Sequence, residues 1–354
     1  MIIYIDKSVG QALHDEKFTD DHYVLFIGLA NAHLRGKCFL CGDIESLSTL
    51  SARLDGVSAA IYRDLINHYS ESRMIVESVE KILAIGFGMT CELPTFVNAK
   101  ACRINLSENC SYEFDNVCSL IAENLDDCKF YMYIGQHYLN SLKLKGVHVR
   151  FQYENGAGST ISDVLKTRVL EDQKISLCIV DSDFKHGKTT KYPNSPGRGE
   201  TANKLLRTER ELRKQEGITP FEVYCLDVHE VENLIPISIL EKLCLECPPM
   251  NEGVAVLKKL HAIRDGEPVF YYDLKKGIES SKTDLAYSAY WNEIIAESGV
   301  ASEVSIHRTK VLRSALDILP MDYSVELECY MEKVWEIIGS KVYSWGCAKL
   351  PKRA

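Results

Sequence analysis

Short apolar runs alternate with helix-patterned segments through the middle of this sequence, and that alternation restricts the folds it can adopt. Helical patterns cover Asp127–Ser141 and Thr160–Glu171. The apolar runs, each of strand length, are Val117–Ala122, Val147–Tyr153, Ile175–Val180 and Phe221–Leu226. Strands that alternate with helices pair in parallel through right-handed crossovers. The sequence therefore predicts an α/β fold with a central parallel sheet.

The segments on either side of this region predict two further units. Residues 1–117 begin with a β-like run, Ile2–Asp6, and contain several helical segments, of which Ser72–Leu83 is one. This pattern predicts a mixed α/β or mainly helical module. The central unit then covers residues 118–240. Residues 241–354 are predicted to be mainly helical, with one further β-like run at Pro268–Tyr272.

Composition excludes several classes of protein. The 354 residues are 46% hydrophobic and 26% charged, which are ordinary globular values. The longest apolar stretch, His22–Leu34, is about 13 residues long, whereas a membrane-spanning helix needs about 20. The 13 cysteines have no framework spacing and no export signal accompanies them, so we expect reduced thiols in a cytoplasmic protein. The net charge of −9 argues against a general nucleic-acid coat but permits a local basic surface.

Acidic residues follow the predicted strands. Glu123 ends the first strand, Asp181 and Asp183 end the third, and a segment containing Glu230 and Glu232 follows the fourth. Any one of these acids is more simply explained as a helix cap or a solvated loop residue. As a set they are expected to meet at the carboxyl edge of the sheet, with Asp181 and Asp183 on the same side of an extended backbone. Clustered carboxylates repel unless a cation lies between them, and Mg²⁺ is the natural candidate.

These residues resemble motifs of a known family. The run Ser119–Tyr131 is similar to the opening Toprim motif of the OLD (overcoming lysogenization defect) nucleases and related bacterial defence nucleases, although Asn124 stands where that family usually has Gly. Three later segments resemble the family's glycine turn, its Asp-x-Asp motif and its Glu-x-Glu-Asn segment. They are Glu154–Ser159, Ile179–Asp183 and Val228–Asn233. The resemblance covers residues 117–236, about a third of the chain.

The resemblance implies a Rossmann-like Toprim sheet and phosphodiester hydrolysis that depends on Mg²⁺ or Mn²⁺, with two ions expected. Glu123 would be a general base or metal ligand, and Asp181 and Asp183 would hold one ion. Asp127, with Glu230 or Glu232, would complete the second. Lys275, in a turn rich in charge, would neutralise developing phosphate charge, although a solvated turn explains it equally well.

An insertion after Asp183 is strongly basic. Residues 185–214 contain nine Lys and Arg against three Glu. A helix is predicted over Leu205–Lys214, with basic side chains at helical spacing along one face. Contact with a phosphate backbone and a merely solvated face are equally good interpretations. The residues expected to contact nucleic acid are Lys185, Lys188, Lys191, Arg198, Arg207, Arg210 and Lys214.

Hydrolysis of DNA, in a bacterial anti-phage effector restrained by a separate ATPase, is the leading functional prediction. Two alternatives remain open. One is a ribonuclease that uses the same site on tRNA or other structured RNA, and the other is a non-catalytic subunit that binds the partner ATPase. A homodimer is a further possibility. We expect no nucleotide cofactor, because Gly187-Lys188-Thr189 lacks the first glycine of a P-loop and no helical pattern follows it.

Overall fold

The structure, a computed structural model, describes residues 1–88, 93–95, 97, 99–107, 117–188, 197–215, 218–279, 284–302, 304–306 and 310–351. It is an α/β protein with two four-stranded parallel sheets and a helical C-terminal region. The α/β class predicted from the sequence is confirmed. None of the described helices is long and apolar enough to cross a membrane.

The first sheet lies within the N-terminal module and has the order β2-β1-β3-β4, with every pairing parallel. Its strands are β1 (Ile2–Ile5), β2 (Phe39–Gly42), β3 (Lys81–Gly86) and β4 (Lys100–Asn105). The module's helices are α1 (Lys7–His14), α2 (Asp20–Leu34), α3 (Ile44–Arg53), α4 (Gly56–Asn67) and α5 (Tyr69–Glu77). The module is therefore α/β rather than mainly helical.

The helix predicted over Ser72–Leu83 is wrong at its end. Helix α5 stops at Glu77, and Lys81 begins β3. Four residues in succession, Ile82–Ile85, are fully buried because β3 lies between β1 and β4. A short run that is apolar on both faces has the same pattern in a buried strand as in a buried helix, so pairing with the neighbouring strands decides its structure.

The second sheet is formed by the region with the alternating pattern and has the order β7-β5-β8-β9, again all parallel. The strands of this region are β5 (Ser119–Ala122), β6 (Val147–Val149), β7 (Gln152–Asn155), β8 (Ser176–Val180) and β9 (Phe221–Cys225). Its helices are α6 (Leu125–Ser141), α7 (Ile161–Lys166) and α8 (Glu200–Leu212). Helix α7 continues into a π-helical turn, Thr167–Glu171.

The single strand predicted over Val147–Tyr153 is divided in two. Its first part, β6, pairs antiparallel with a C-terminal strand, β10 (Cys347–Lys349), and only the second part, β7, joins the sheet. The C-terminal helices are α9 (Ile237–Glu246), α10 (Asn251–His261), α11 (Leu285–Ser298), α12 (Val311–Ile318) and α13 (Cys329–Gly346). The strand predicted at Pro268–Tyr272 is wrong, because Arg264–Tyr271 forms 3₁₀ helix around a kink at Asp265 and Gly266.

Helices cover both faces of the second sheet. Ile121 and Val180 point into a cluster formed with α7 and α8, whereas Leu120 and Ile179 point into the core shared with α6 and α13. This alternation is the period of two expected of strands buried on both faces. The larger core contains residues from all three regions of the chain, because α13 also contacts β1 and β3 of the first sheet.

The order of the second sheet creates a crevice. Strand β7 pairs with one side of β5 and β8 pairs with the other, so the loops that follow β5 and β8 lead away in opposite directions. Open α/β sheets bind ligands at such a switch point, outside the carboxyl ends of the strands. Glu123 and Asp181 lie in the two segments that border this crevice.

Candidate metal centre

The end of β5 and the start of α6 position the first two acids. The Asn124 side chain caps α6 by accepting hydrogen bonds from the backbone N–H groups of Asp126 (2.9 Å) and Asp127 (3.1 Å). In return, Asp127 Oδ2 accepts the Asn124 N–H at 3.1 Å. Asn124 therefore acts as a helix cap at the position where the resembled family usually has Gly. This reciprocal cap fixes Glu123 and Asp127 at the two ends of one turn.

The glycine stretch after β7 also packs against this turn. The Gly156 N–H donates to the Ala122 carbonyl at 2.7 Å, and a Cβ on Gly156 would lie 2.8 Å from that oxygen. Only glycine allows the backbone to come this close. The segment that resembles the family's glycine turn, Glu154–Ser159, thus packs against the end of β5.

The loop after β8 carries Asp181 and Asp183. Asp183 has a left-handed backbone, with φ of 55°, so the extended geometry predicted for this pair is wrong. The loop turns because the buried Ser182 hydroxyl donates to the Val228 carbonyl and accepts the Phe184 N–H, while the Asp183 N–H donates to the backbone carbonyl of His229. These bonds join the loop after β8 to the segment after β9.

A glycine is required beside Asp183. The Gly199 N–H donates to the Ser182 carbonyl at 2.9 Å, immediately before α8 begins. Any Cβ at Gly199 would collide with the Asp183 carboxylate. The start of α8 therefore lies directly against the acidic loop.

Asn233 organises the segment after β9. Its side-chain oxygen accepts the Glu230 N–H at 3.0 Å, and its amide donates to the carbonyls of Val269 and Tyr272, both at 2.8 Å. Asn233 is buried, so these bonds are shielded from water. Through them, the turn that carries Asp273 is held beside Glu230.

Lys275 bridges two of the acids. Its Nζ atom lies 2.8 Å from Glu230 Oε2 and 3.5 Å from Glu232 Oε1. Burial would lower the pKa of Lys275, but the two carboxylates outweigh it and raise the pKa. The side chain is nevertheless 59% exposed, which leaves the ammonium group accessible from solvent.

We call the six side chains predicted as metal ligands the acid centre. They are Glu123, Asp127, Asp181, Asp183, Glu230 and Glu232. Burial raises the pKa of Asp181 well above its usual range, and the nearby Glu123 and Asp127 raise it further. Burial, then Asp183, raises the pKa of Glu123. The acids that follow β5, β8 and β9 are therefore close enough for their charges to raise one another's pKa.

The acid centre concentrates carboxylates that repel one another, although no three of its described side chains place ligand atoms within 4.8 Å of one another. Burial raises the pKa of Asp127 to about 7, and Glu232 and Glu123 add to the shift. Asp127 Oδ1 is buried and has no hydrogen-bond partner among the described residues. Carboxylates this crowded are unfavourable as anions unless a cation compensates them. Mg²⁺ or Mn²⁺ fits this donor set, since both prefer carboxylate oxygens.

Two neighbouring residues, His229 and Asp273, were not predicted as site residues. His229 is 3% exposed, and its Nε2 atom lies 3.8 Å from Glu230 Oε1 and 3.7 Å from Asp273 Oδ2. Burial alone would raise the pKa of Asp273, but His229 and two backbone N–H groups lower it to about 2. The sequence offered only the adjacency of His229 to Glu230 as a signal for this group.

A cleft of about 490 Å³ opens beside the acid centre. His229 lines it together with five acids, which are Asp183, Glu200, Glu230, Asp273 and Asp284. Three cationic side chains, Lys185, Arg198 and Lys276, also line it. The cleft therefore offers positive charge next to the carboxylates, an arrangement that suits an anionic substrate held against metal ions.

The predicted basic residues lie in different places. Lys185 and Arg198 line the cleft, Lys188 is exposed nearby, and Lys191 lies outside the described residues. The helix predicted over Leu205–Lys214 is α8, which starts earlier and ends at Leu212. We call Arg207, Arg210 and Lys214 the basic face. All three are exposed, and none has an acidic partner in the part of the chain that the structure describes.

Comparisons of the chain with protein-family models, with curated proteins and with solved structures find no match.

Proposed function

We propose that this chain is a Toprim-type, metal-dependent phosphodiesterase that hydrolyses DNA. The proposal depends on the carboxylates that follow β5, β8 and β9, which lie at the switch point of a parallel sheet and raise one another's pKa. A buried oxygen of one of them, Asp127, has no hydrogen-bond partner among the described residues. A purely structural network would pair these acids with cations, but among the described residues no lysine or arginine forms an ion pair with Asp127, Asp181 or Asp183. Lys275 is the cation bonded to Glu230 and Glu232, and it also acts on Glu123.

The proposal assigns a role to each part of the acid centre. Asp181, Asp183 and Glu123 would hold one Mg²⁺ or Mn²⁺ ion, and Asp127 with Glu232 would hold a second. Bound there, the ions would supply a water of lowered pKa and compensate charge on the attacking and leaving oxygens. As a metal ligand or as a general base Glu123 acts in its ionised form, which bound cations would favour against the raised pKa of the metal-free site.

Lys275 is suited to interact with the developing phosphate charge. Its ammonium group is held by two acids of the centre but remains more than half exposed. A substrate phosphate could therefore contact it without desolvating a buried cation.

The nucleic-acid substrate is supported by the distribution of cations. Lys185, Arg198 and Lys276 line the cleft, and α8, which carries the basic face, begins next to Asp183. In a chain of net charge −9, these cations near the acid centre form a local surface for a phosphate backbone, although Lys276 also pairs with Glu279 at 3.9 Å. The defence role and the partner ATPase are part of the proposal through the resemblance alone.

The test is cleavage of plasmid DNA and of total RNA in Mg²⁺ by the wild-type chain, by Glu123→Gln and by Asp181→Asn. We expect both variants to lose at least about 100-fold of the DNA cleavage rate, the scale of losing a general base or ligand. Glu171→Gln, a change at an exposed acid of the same unit, is the matched control and should retain full activity. Equal cleavage by wild type and Glu123→Gln would remove Glu123 from the mechanism.

Two other outcomes decide between the alternatives. Cleavage of RNA without cleavage of DNA would show that the same site belongs to a ribonuclease. If neither substrate is cut but Mg²⁺ still binds and binding is lost in Asp181→Asn, the chain is a metal-binding subunit without nuclease activity. Calorimetric titration of Mg²⁺ separates this last case from a chain that binds no metal.

A further inference from the structure

His229 is a buried histidine whose ring makes no hydrogen bond with the described residues. Its side chain is 3% exposed, and neither ring nitrogen has a hydrogen-bond partner among the described residues. Buried polar atoms are normally paired, so an orphaned imidazole beside a cleft requires an explanation. The nearest polar atoms to Nε2 are carboxylate oxygens of Glu230 and Asp273, at 3.8 and 3.7 Å. These separations are too long for hydrogen bonds.

The two carboxylates are held in place by their other oxygens. Glu230 Oε2 accepts a hydrogen bond from Lys275 Nζ at 2.8 Å. Asp273 Oδ1 accepts the backbone N–H groups of Lys275 and Lys276, both at 2.9 Å. Glu230 Oε1 and Asp273 Oδ2 therefore both remain directed toward His229. This is the outer support that metal ligands commonly have.

We propose that His229, Glu230 and Asp273 bind a divalent transition-metal ion, in a site separate from the carboxylates around Asp181. One atom from each residue can be chosen so that all three lie within 4.8 Å of one another. Two ligands about 2.1 Å from an ion at a tetrahedral angle are about 3.4 Å apart, so small movements would complete the coordination. We call these three residues the histidine site.

The donor set determines the class of ion. An imidazole nitrogen suits Zn²⁺ or Fe²⁺, and the two carboxylates also suit Mn²⁺, whereas Mg²⁺ prefers oxygen ligands throughout and gives up its waters reluctantly. The histidine site uses Glu230, which leaves Glu232 as the partner of Asp127 in the acid centre. The site borders the cleft, so an ion there would face whatever the cleft binds. The inference does not depend on nuclease activity.

The test uses the full chain, stripped with EDTA and loaded with Mn²⁺ in a large excess of Mg²⁺. Electron paramagnetic resonance measures free Mn²⁺, and Mg²⁺ occupies the carboxylate sites. We expect wild type to retain about one Mn²⁺ per chain. We expect His229→Gln to bind it at least about 10- to 100-fold more weakly, the range already seen when residues supporting metal ligands are changed. His14→Gln, at an exposed histidine of α1, is the matched control and should retain the ion.

Asp273→Asn guards against a folding defect in the His229 variant. The asparagine oxygen can still accept the two backbone N–H groups that Asp273 Oδ1 accepts, so the turn should persist while one anionic ligand is lost. We expect this variant to lose the retained Mn²⁺ as well, with unchanged far-ultraviolet circular dichroism. Full displacement of Mn²⁺ by Mg²⁺ in the wild type would refute the site, as would retention by both variants.

Asp181→Asn keeps this inference distinct from the proposed nuclease. It should abolish cleavage but leave the Mn²⁺ of the histidine site in place. If it instead releases that ion, the ion belongs to the acid centre and the histidine site is refuted, whatever the nuclease result. If the wild-type chain retains no Mn²⁺ in excess Mg²⁺ but still cleaves DNA normally, the histidine site alone is refuted.

Discussion

Replacing Asp127 with Asn removes a buried negative charge from the acid centre while preserving the shape of the side chain. Asp127 is 3% exposed, and burial together with Glu232 and Glu123 raises its pKa from 3.8 to about 7. At 1.36 kcal/mol per pKa unit, a shift of this size corresponds to about 4 kcal/mol of unfavourable free energy when the group is ionised in the fold.

The sign of the pH dependence follows from the raised pKa. Between about pH 4 and pH 7 the folded chain binds a proton at Asp127 that the unfolded chain has lost, so the free energy of unfolding falls as pH rises. Asn does not titrate and escapes this loss. Its buried amide gives back about 1–3 kcal/mol if it stays unpaired. Without metal, we expect Asp127→Asn to be more stable than wild type by about 1–3 kcal/mol near pH 8.

Urea unfolding in EDTA at about pH 5 and about pH 8 measures this difference. The matched control is Asp126→Asn in the same turn. Hydrogen bonds from Lys129 and Arg313 lower the pKa of Asp126. Replacing this carboxylate with Asn should therefore lower the free energy of unfolding by up to about 1 kcal/mol at pH 8. Adding Mg²⁺ should stabilise wild type more than Asp127→Asn, because the variant loses a ligand of one of the two proposed ions. A difference between wild type and Asp127→Asn that is the same at both pH values would refute the reasoning.

Three further predictions concern charges outside Asp127. Lys275→Met should tighten Mg²⁺ binding, measured by calorimetry, because it removes a cation that competes for the same carboxylates. It should also reduce cleavage in the plasmid assay, and weaker Mg²⁺ binding would contradict the proposal. Changing all three residues of the basic face to Gln should weaken DNA binding. The slope of the logarithm of the DNA-binding constant against the logarithm of salt concentration should fall in magnitude by about 2–3, as expected for the loss of three phosphate contacts. The control Lys143→Gln with Lys145→Gln changes two exposed lysines on another surface and should leave that slope unchanged. Glu222→Gln should destabilise the fold by about 3 kcal/mol in urea titration, because Glu222 is a largely buried ion-pair partner of Lys81 and Lys341. A change below about 1 kcal/mol would show that solvent already screens these two ion pairs.

Local pattern was sufficient for much of the second sheet. Four of the apolar runs contain strands of that sheet, because their length and apolar character fit segments covered by helices on both faces. The positions of Glu123 and Asp181 could also be predicted. In a parallel sheet the carboxyl ends of the strands lie at one edge, so acids that follow the strands in sequence become neighbours in space.

The sequence pattern could not identify which segments pair or pack with one another. It did not show that β3 is a strand rather than the end of a helix, or that β6 leaves the second sheet to pair with β10. A buried apolar segment has the same composition whichever neighbour covers it. These choices depend on contacts between residues that are distant in sequence.

The sequence by itself determined the α/β class, the chemical nature of the acid centre and the sheet edge where its members would meet. Only the tertiary structure decided the left-handed turn at Asp183, the pairing of Lys275 with Glu230 and the approach of Asp273 to His229. The physical reason is that residue type and periodicity record which side chains are buried, whereas the bonds of Ser182 and Asn233 that place this site join separate segments of the chain.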